Sequence, residues 1–371
     1  MAALNRRWTR LARNAWSRHG ALGVILWTLL WPWSAVFRLV VGLRNVLYGA
    51  GWLKARRLPL PVVSVGNLTV GGTGKTPTAL WLARNLQRRG LGAAILTRGY
   101  GAPSGNDRPA RIDPDIARGW LREPGSRPLE YGDEPVMMSA LHGQIVGVGA
   151  DRYRVGVELA RDCGNLRLFL LDDGFQHRRV DRDLDLLLLG SDCEGSMLPA
   201  GPFREPLRGL RRADLLMVTG AHDRWRALLD GRCDAARVFY ASLEPRAVLA
   251  RTDGELSELN LGALAGARVL AVSAVADPEP FYGMVRECEA TIVETLEYPD
   301  HHRYSEKDWR DINRHRNGVE KIVTTEKDFV KLVRYPFPGG KLLALRVEMS
   351  IDRPEELLDR VTEAVEGARG R

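Results

Sequence analysis

From residue 60 onward the chain alternates short, almost unbroken runs of Val, Leu and Ile with longer stretches whose apolar residues recur at helical spacing. The runs at 62–65, 93–96, 145–148, 168–171, 184–189 and 215–218 predict strands. The stretches 76–89, 134–141, 152–162 and 222–229 predict helices. Strands without apolar–polar alternation are those covered on both faces, as in parallel sheets. The expected architecture is therefore a doubly wound α/β sheet that holds ligands at the carboxyl ends of its strands. A second alternation begins near Ala267, with strands at 268–272, 291–293 and 321–324 and helices at 278–288 and 306–315. Extended segments at 238–249 and 341–347 bracket this smaller α/β unit and are expected to pair as a two-stranded linker, before a helix at 354–366 returns to the first domain. Residues 101–130, rich in Pro, Gly, Arg and Asp, predict a loop or insertion with one short helix near Ile116. The expected division is 1–58 (helical, membrane-associated), 59–236 (main domain), 237–266 (linker), 267–338 (smaller domain) and 339–371 (return strand and helix).

The pattern before residue 60 is different. Residues 21–37 carry no charge and include Trp27, Trp31 and Trp33, while Pro32 interrupts the run. Seventeen residues is about the least that can span a bilayer. Arg6, Arg7, Arg10, Arg13, Arg18, Arg38, Arg44, Lys54, Arg56 and Arg57 flank it on both sides. Tryptophan and arginine at the ends of an apolar helix suit the headgroup level of an anionic membrane, as a short span or a helix lying in the interface. A buried core helix is the alternative. A cleaved signal peptide is disfavoured by the tryptophans, the proline and the lack of a small-residue cleavage site.

Composition changes this picture little. The 371 residues, 45% hydrophobic and 27% charged, describe a globular protein of one or two domains with net charge +8. Cys163, Cys193, Cys233 and Cys288 are widely spaced and form no Cys-x-x-Cys pair, which argues against structural zinc and for thiols in a reducing compartment.

The most informative chemistry lies in Thr69-Val70-Gly71-Gly72-Thr73-Gly74-Lys75-Thr76, between the strand at 62–65 and the helix at 76–89. Strand, glycine-rich turn, Lys-Thr and helix in that order make a phosphate cradle: backbone N–H groups converge on phosphate oxygens, and the helix N-terminus adds positive potential. In such a P-loop Lys75 reaches the β/γ-phosphates and the Thr76 hydroxyl sits on Mg²⁺. The strand at 168–171 ends in Asp172 and Asp173, where P-loop proteins place the metal-holding carboxylate. Gly174 to Arg179 continue along that edge, and Arg98, after another strand, suits an anionic substrate group. Asp133 opens a helix and can cap it or act as a base. His301 and His302 precede a helix; one histidine orienting a carboxylate fits better than a metal pair, because neighbouring residues seldom face one ion.

In order along the chain, residues 66–77, Arg98-Gly99-Tyr100-Gly101, Gly132-Asp133-Glu134-Pro135, residues 172–177, residues 201–206, Asp300-His301-His302 and Thr325-Glu326-Lys327-Asp328 together resemble the tetraacyldisaccharide 4'-kinase family, the lipid A 4'-kinases of Gram-negative bacteria. The resemblance includes Thr69 in place of the usual first glycine; the longer stretch between Arg98 and Asp133 departs from shorter members. It implies transfer of the γ-phosphate of ATP to the 4'-hydroxyl of a lipid A disaccharide 1-phosphate at the cytoplasmic face of the inner membrane. It further implies Asp133 as base supported by His301, Lys75 and Thr76 on ATP and Mg²⁺, and Asp172, Asp173 and Glu205 around the metal. Asn67, Arg98, Gln176 and His177 are the expected substrate-side residues. Neither a nucleic acid nor an obligate protein partner is expected.

Two other readings compete. A membrane-bound P-loop switch that recruits partners would hydrolyse nucleotide without lipid, and a GTPase would carry Asn-Lys-x-Asp, which this chain lacks. A nucleic-acid-binding protein would use the N-terminal arginines, but these flank an apolar tryptophan-rich stretch with no recognition motif.

Overall fold

The computed structural model describes residues 16, 18–99, 109–122, 128–252, 255–315, 318–338 and 340–369. The chain divides into two compact units. Unit 1 comprises residues up to Ala93, Gly156–Ser242 and from Ser350; unit 2 comprises Ala94–Val155 and Leu243–Met349.

Unit 1 is built on parallel strands β1 (Val62–Asn67), β5 (Leu168–Asp172), β6 (Leu184–Leu189) and β7 (Leu215–Val218). β1 lies between β5 and β6, β6 pairs with β7, and the first residues of β8 (Val238–Thr252) add beyond β7, all parallel. Every residue of β1, β5, β6 and β7 is buried, as their unalternating apolar sequences predict. Helix α2 (Lys75–Arg88) follows β1 and buries Ala79, Leu80, Leu82, Ala83 and Leu86 along one face. The C-terminal helix α10 (Pro354–Arg369) also belongs to this unit, burying Leu357, Leu358, Val361 and Val365, while Arg89 of the α2 C-cap holds Asp359 at 2.6 Å.

The apolar N-terminal segment is one long helix, α1 (Gly20–Gly49), with Pro32 inside it. At 1.5 Å per residue it is about 45 Å long, more than the ~30 Å hydrocarbon core of a bilayer. The charges at Arg38 and Arg44 do not stop it, because Leu39, Val40, Leu43 and Val46 continue the apolar surface. That surface is exposed: Leu29, Trp31, Trp33 and Leu39 are each more than half accessible, while Gly23, Ser34 and Val41 are the buried positions. Only 11% of its most apolar window is buried among the described residues, so α1 is not a core helix.

In unit 2, β2 (Ala93–Thr97) pairs in parallel with β4 (Ile145–Val148), and β3 (Ala110–Ile112) pairs antiparallel with β4. A second group runs β11 (Thr291–Glu297), β10 (Arg268–Ser273), β12 (Lys321–Thr325), β13 (Leu342–Ile351), all parallel. The later part of β8 forms an antiparallel pair with β9 (Glu255–Leu259). Helices α3 (Pro114–Arg122), α4 (Asp133–Ala140), α7 (Glu279–Glu287), α8 (Glu306–Arg314) and α9 (Glu326–Leu332) complete it. Two further helices are α5 (Arg152–Asp162) and α6 (His222–Leu229). The stretch expected as a loop at 101–130 holds β3 and α3; the rest of it, at 101–108 and 123–127, lies outside the described residues.

Close packing at the end of β1 demands glycine. A Cβ built on Gly66 would stand 2.5 Å from the Cβ and 2.6 Å from the backbone nitrogen of Phe175. Gly66→Ala is expected to destabilise unit 1 by about 2–3 kcal/mol through overpacking against backbone that cannot yield cheaply. Urea unfolding followed by tryptophan fluorescence measures this; an unchanged midpoint would show that the 174–175 turn retreats freely.

Candidate active site

The parallel register sets Val65 of β1 opposite Asp172 of β5, so the turn leaving β1 and the acids ending β5 lie side by side. Gly71 (φ +114°) and Gly74 (φ +78°) take conformations that side-chain-bearing residues avoid, and Gly74 is the N-cap of α2. A Cβ on Gly71 or Gly72 would meet nothing within 4 Å. Packing therefore does not demand glycine at either position; an unobstructed backbone facing open space does suit close approach by a phosphate. The turn is braced from behind. Asn67, fully buried, donates from Nδ2 to Thr73 Oγ1 at 2.9 Å; Gln176 Nε2 donates to the Asn67 carbonyl at 2.8 Å; Thr219 Oγ1 donates to the Thr73 carbonyl at 3.0 Å. Asn67, expected on the substrate side, thus contacts the glycine-rich turn itself, and Gln176, expected there too, holds Asn67.

The charged groups of the cradle engage one another. Thr76 Oγ1 donates to Asp172 Oδ2 at 3.2 Å. Lys75 Nζ stands 3.7 Å from Asp173 Oδ1, and Arg204 Nη1 lies 3.0 and 2.9 Å from the two Asp173 oxygens. Asp173 itself has φ +52°, a left-handed backbone that turns its carboxylate toward these cations. Thr76 and Asp172 together fit a hard cation that also takes phosphate oxygens. No group of three or more His, Cys, Asp or Glu suited to a metal occurs among the described residues. Glu205, expected at the metal, has other partners: Oε1 accepts from Arg44 Nη2 at 3.1 Å, and Oε2 accepts from Asn45 Nδ2 at 3.0 Å and Arg212 Nη2 at 2.7 Å. Its side chain is fully buried. Withdrawing such a carboxylate from its partners costs about 3–5 kcal/mol. His177 is half-buried, with its backbone nitrogen bonded to the Gly174 carbonyl at 2.8 Å.

Unit 2 holds a separate cluster. Asp133, the first residue of α4, accepts at Oδ1 from the Glu134 backbone at 3.0 Å and faces His301 Nδ1 at 3.4 Å. Lys331 Nζ lies 3.5 Å from Asp133 Oδ2, a charge neighbour and not a hydrogen bond, so no donor bonds that buried oxygen among the described residues. Burial alone would raise the Asp133 pKa; the His301 hydrogen bond and the charges of Lys327 and Lys331 outweigh it and hold the carboxyl well below the usual range. Burial conversely disfavours the His301 cation, but the Asp133 carboxylate dominates and raises the imidazole above its ordinary pKa. Lys327 Nζ contacts His301 Nε2 at 3.2 Å and Glu134 Oε1 at 3.2 Å. In the neutral ring, then, Nε2 accepts from Lys327 while Nδ1–H donates to Asp133. His302 faces away, bonded to Asp308 at 3.1 Å and stacked on Tyr298. Arg98 is exposed just after β2.

Sequence reasoning placed Lys327 in a charged cluster after the strand at 321–324 without naming its partners, and missed Lys331 and Arg204 as charge partners. Lys327 and Lys331 stand four apart on α9, the spacing that puts two side chains on one helix face, and this signal could have found them. The Thr325-Glu326-Lys327-Asp328 block divides its work. Thr325 Oγ1 caps α9 by accepting from the Asp328 backbone at 3.1 Å. Buried Glu326 pairs with His142 at 3.1 Å and Arg346 at 3.0 Å. Asp328 accepts from the Ala274 backbone at 2.8 Å and pairs with Lys331 at 2.7 Å.

A raised His301 pKa stabilises the fold fully below the ordinary value of 6.5, and that contribution fades as pH rises through the folded value. The depressed Asp133 behaves oppositely: its contribution is present above 3.8 and is lost as pH falls through the folded value. The stability deficit of His301→Ala relative to the parent should therefore narrow from about pH 5.5 to about pH 9 in urea titrations. A deficit that widens with pH would contradict the ion pair.

Comparison with known proteins gives one consistent result. A sequence model of the family described as tetraacyldisaccharide-1-P 4'-kinase matches residues 26–366. The tetraacyldisaccharide 4'-kinase of Pelobacter propionicus is 39% identical over 349 residues, covering 90% of this chain and 91% of that protein. That of Methylobacillus flagellatus is 30% identical over 98% of this chain and 99% of its own length. A crystal structure of LpxK from Aquifex aeolicus in complex with ATP superimposes with TM-score 0.73 at 32% identity, covering 92% of this chain and 99% of that one.

Proposed function

The chain belongs to the tetraacyldisaccharide-1-P 4'-kinase family, and from that premise we propose how its residues divide the reaction. It is an enzyme of lipid A biosynthesis that transfers the γ-phosphate of ATP to the 4'-hydroxyl of tetraacyldisaccharide 1-phosphate, forming lipid IVA. A sugar hydroxyl is a poor nucleophile and phosphoryl transfer asks little covalent chemistry of the protein, so the rate comes from positioning and charge neutralisation.

Residues 69–76 receive the triphosphate: the backbone amides of the turn bind its oxygens, and Lys75 moves from Asp173 onto the transferred group. Thr76 and Asp172, with Asp173 beside them, would hold Mg²⁺, which neutralises charge on the β- and γ-phosphates when bound. Arg204 keeps Asp173 oriented. Asn67 and Gln176 hold the turn in shape, and Arg98 and His177 are assigned to the anionic head group of the substrate.

Asp133 orients the 4'-hydroxyl and takes its proton. The observation that carries this is the buried Oδ2, ionised and without a hydrogen-bond donor, beside an Oδ1 already bonded by the Glu134 backbone and facing His301. So depressed a carboxyl is a weak base toward a free alcohol, but the alcohol becomes strongly acidic as its bond to phosphorus forms. The proton then passes late, and His301 stabilises the charge of the pair. The exposed apolar face of α1 supports a seat on the membrane, which we assign to the cytoplasmic face of the inner membrane, with the substrate's acyl chains remaining in the leaflet.

Asp133→Asn should lower kcat about 10²- to 10⁴-fold, with ATP affinity changed less than about two-fold. The assay follows label from γ-labelled ATP into tetraacyldisaccharide 1-phosphate. Near-normal turnover would remove Asp133 from the mechanism, and labelled phosphate released without lipid would favour a nucleotide switch.

A further inference from the structure

Glu205 follows Arg204, the partner of Asp173, yet both its oxygens accept from α1. Arg44 and Asn45 of that helix grip it at 3.1 and 3.0 Å, and Arg212 closes the cage at 2.7 Å. Arg178 reinforces the same end of α1, donating to the Asn45 carbonyl at 3.2 Å with its guanidinium 4.8 Å from the Tyr48 ring. Higher on the helix, buried Ser34 Oγ donates to the Met197 carbonyl at 2.7 Å and Trp27 Nε1 donates to Ser196 Oγ at 3.1 Å. Every one of these bonds to 196–205 grips a single segment of chain.

That segment is also the wall of the phosphate turn. Val70 N donates to the Pro202 carbonyl at 2.8 Å and Arg204 N to the Leu68 carbonyl at 2.7 Å, while Phe203 bridges both Thr69 and Met197. Arg204 then reaches forward to Asp173. Residues 196–205 are thus bonded on one side to the apolar helix and on the other to the turn. We propose that Glu205 is a positioning residue that couples the seat of α1 to the shape of the phosphate turn, so that nucleotide affinity depends on how the membrane helix is docked. The proposal rests on the nucleotide reading of residues 69–76. It gives α1 a second role besides lipid contact, and removes Glu205 from the metal.

The test is equilibrium titration with a fluorescent ATP analogue, on full-length protein in detergent micelles, with Mg²⁺ and again with EDTA. Glu205→Gln and Arg44→Met should each weaken binding about five-fold or more, in EDTA as well as in Mg²⁺, and the double variant should be little worse than the poorer single one. A merely structural role would lower the folded fraction but leave the Kd of folded protein unchanged. A metal-ligand role would show its loss only with Mg²⁺. Either result overturns the proposal. Should Glu205→Gln not fold, Arg44→Met and Ser34→Ala carry the test, since both leave Glu205 bonded to Arg212 and Asn45. A parent protein that fails to bind the analogue contradicts the nucleotide reading itself; a parent that binds, with variants that bind equally well, contradicts only the coupling.

Discussion

A carboxylate taken out of water needs donors or cations around it, and one such group in each unit carries the account of this protein. In unit 1 it is Glu205, caged by Arg44, Asn45 and Arg212. In unit 2 it is Asp133, facing His301 and the α4 backbone with Lys327 and Lys331 near it. Compensation is complete for the first and left open at one oxygen for the second. On the proposed mechanism, this difference separates a carboxylate that fixes structure from one that accepts a proton. Mutating either one's partners leaves an uncompensated charge in a dry site, which is why the residues around them act as groups.

Much of the fold was legible because buried parallel strands have an unmistakable sequence. Ile145–Val148, Leu184–Leu189 and Leu215–Val218 are the stretches read from their apolar runs, whose four to six residues are strand length and too short for a typical helix. The elements that escaped lack that signal. β9, Glu-Leu-Ser-Glu-Leu, is almost wholly exposed; β3 has three residues; α9 has seven, four of them charged and partnered inside the fold. The extent of α1 was also understated, since Arg38 and Arg44 look like the end of an apolar segment. Arg44 reaches sideways to Glu205 from a helix that continues to Gly49.

The same limit applies to the site. Glycine turn, Lys-Thr and terminal aspartates announce themselves because backbone geometry dictates their order. Charge partners brought from distant positions do not: nothing local in Glu205 distinguishes a metal ligand from a buried strut, and Asp133 and His301 lie 168 positions apart. Asn67 shows a related ambiguity. A polar residue at a strand end can face substrate or brace its own turn, and only its bond to Thr73 tells which contact it makes here. Helix α1 links these scales, because the segment that it grips is also bonded to the turn at 68–70.

The central claim is that a phosphate held by residues 69–76 passes to an alcohol held by Asp133. The most direct measurement is a structure of the protein with a non-hydrolysable ATP analogue, Mg²⁺ and the tetraacylated disaccharide 1-phosphate. The account predicts the γ-phosphate on Lys75 and the 4'-hydroxyl within about 3 Å of Asp133 Oδ2, in line with the bond to be broken. Nucleotide bound away from that turn, or a sugar whose 4'-hydroxyl meets neither Asp133 nor the γ-phosphate, would contradict it.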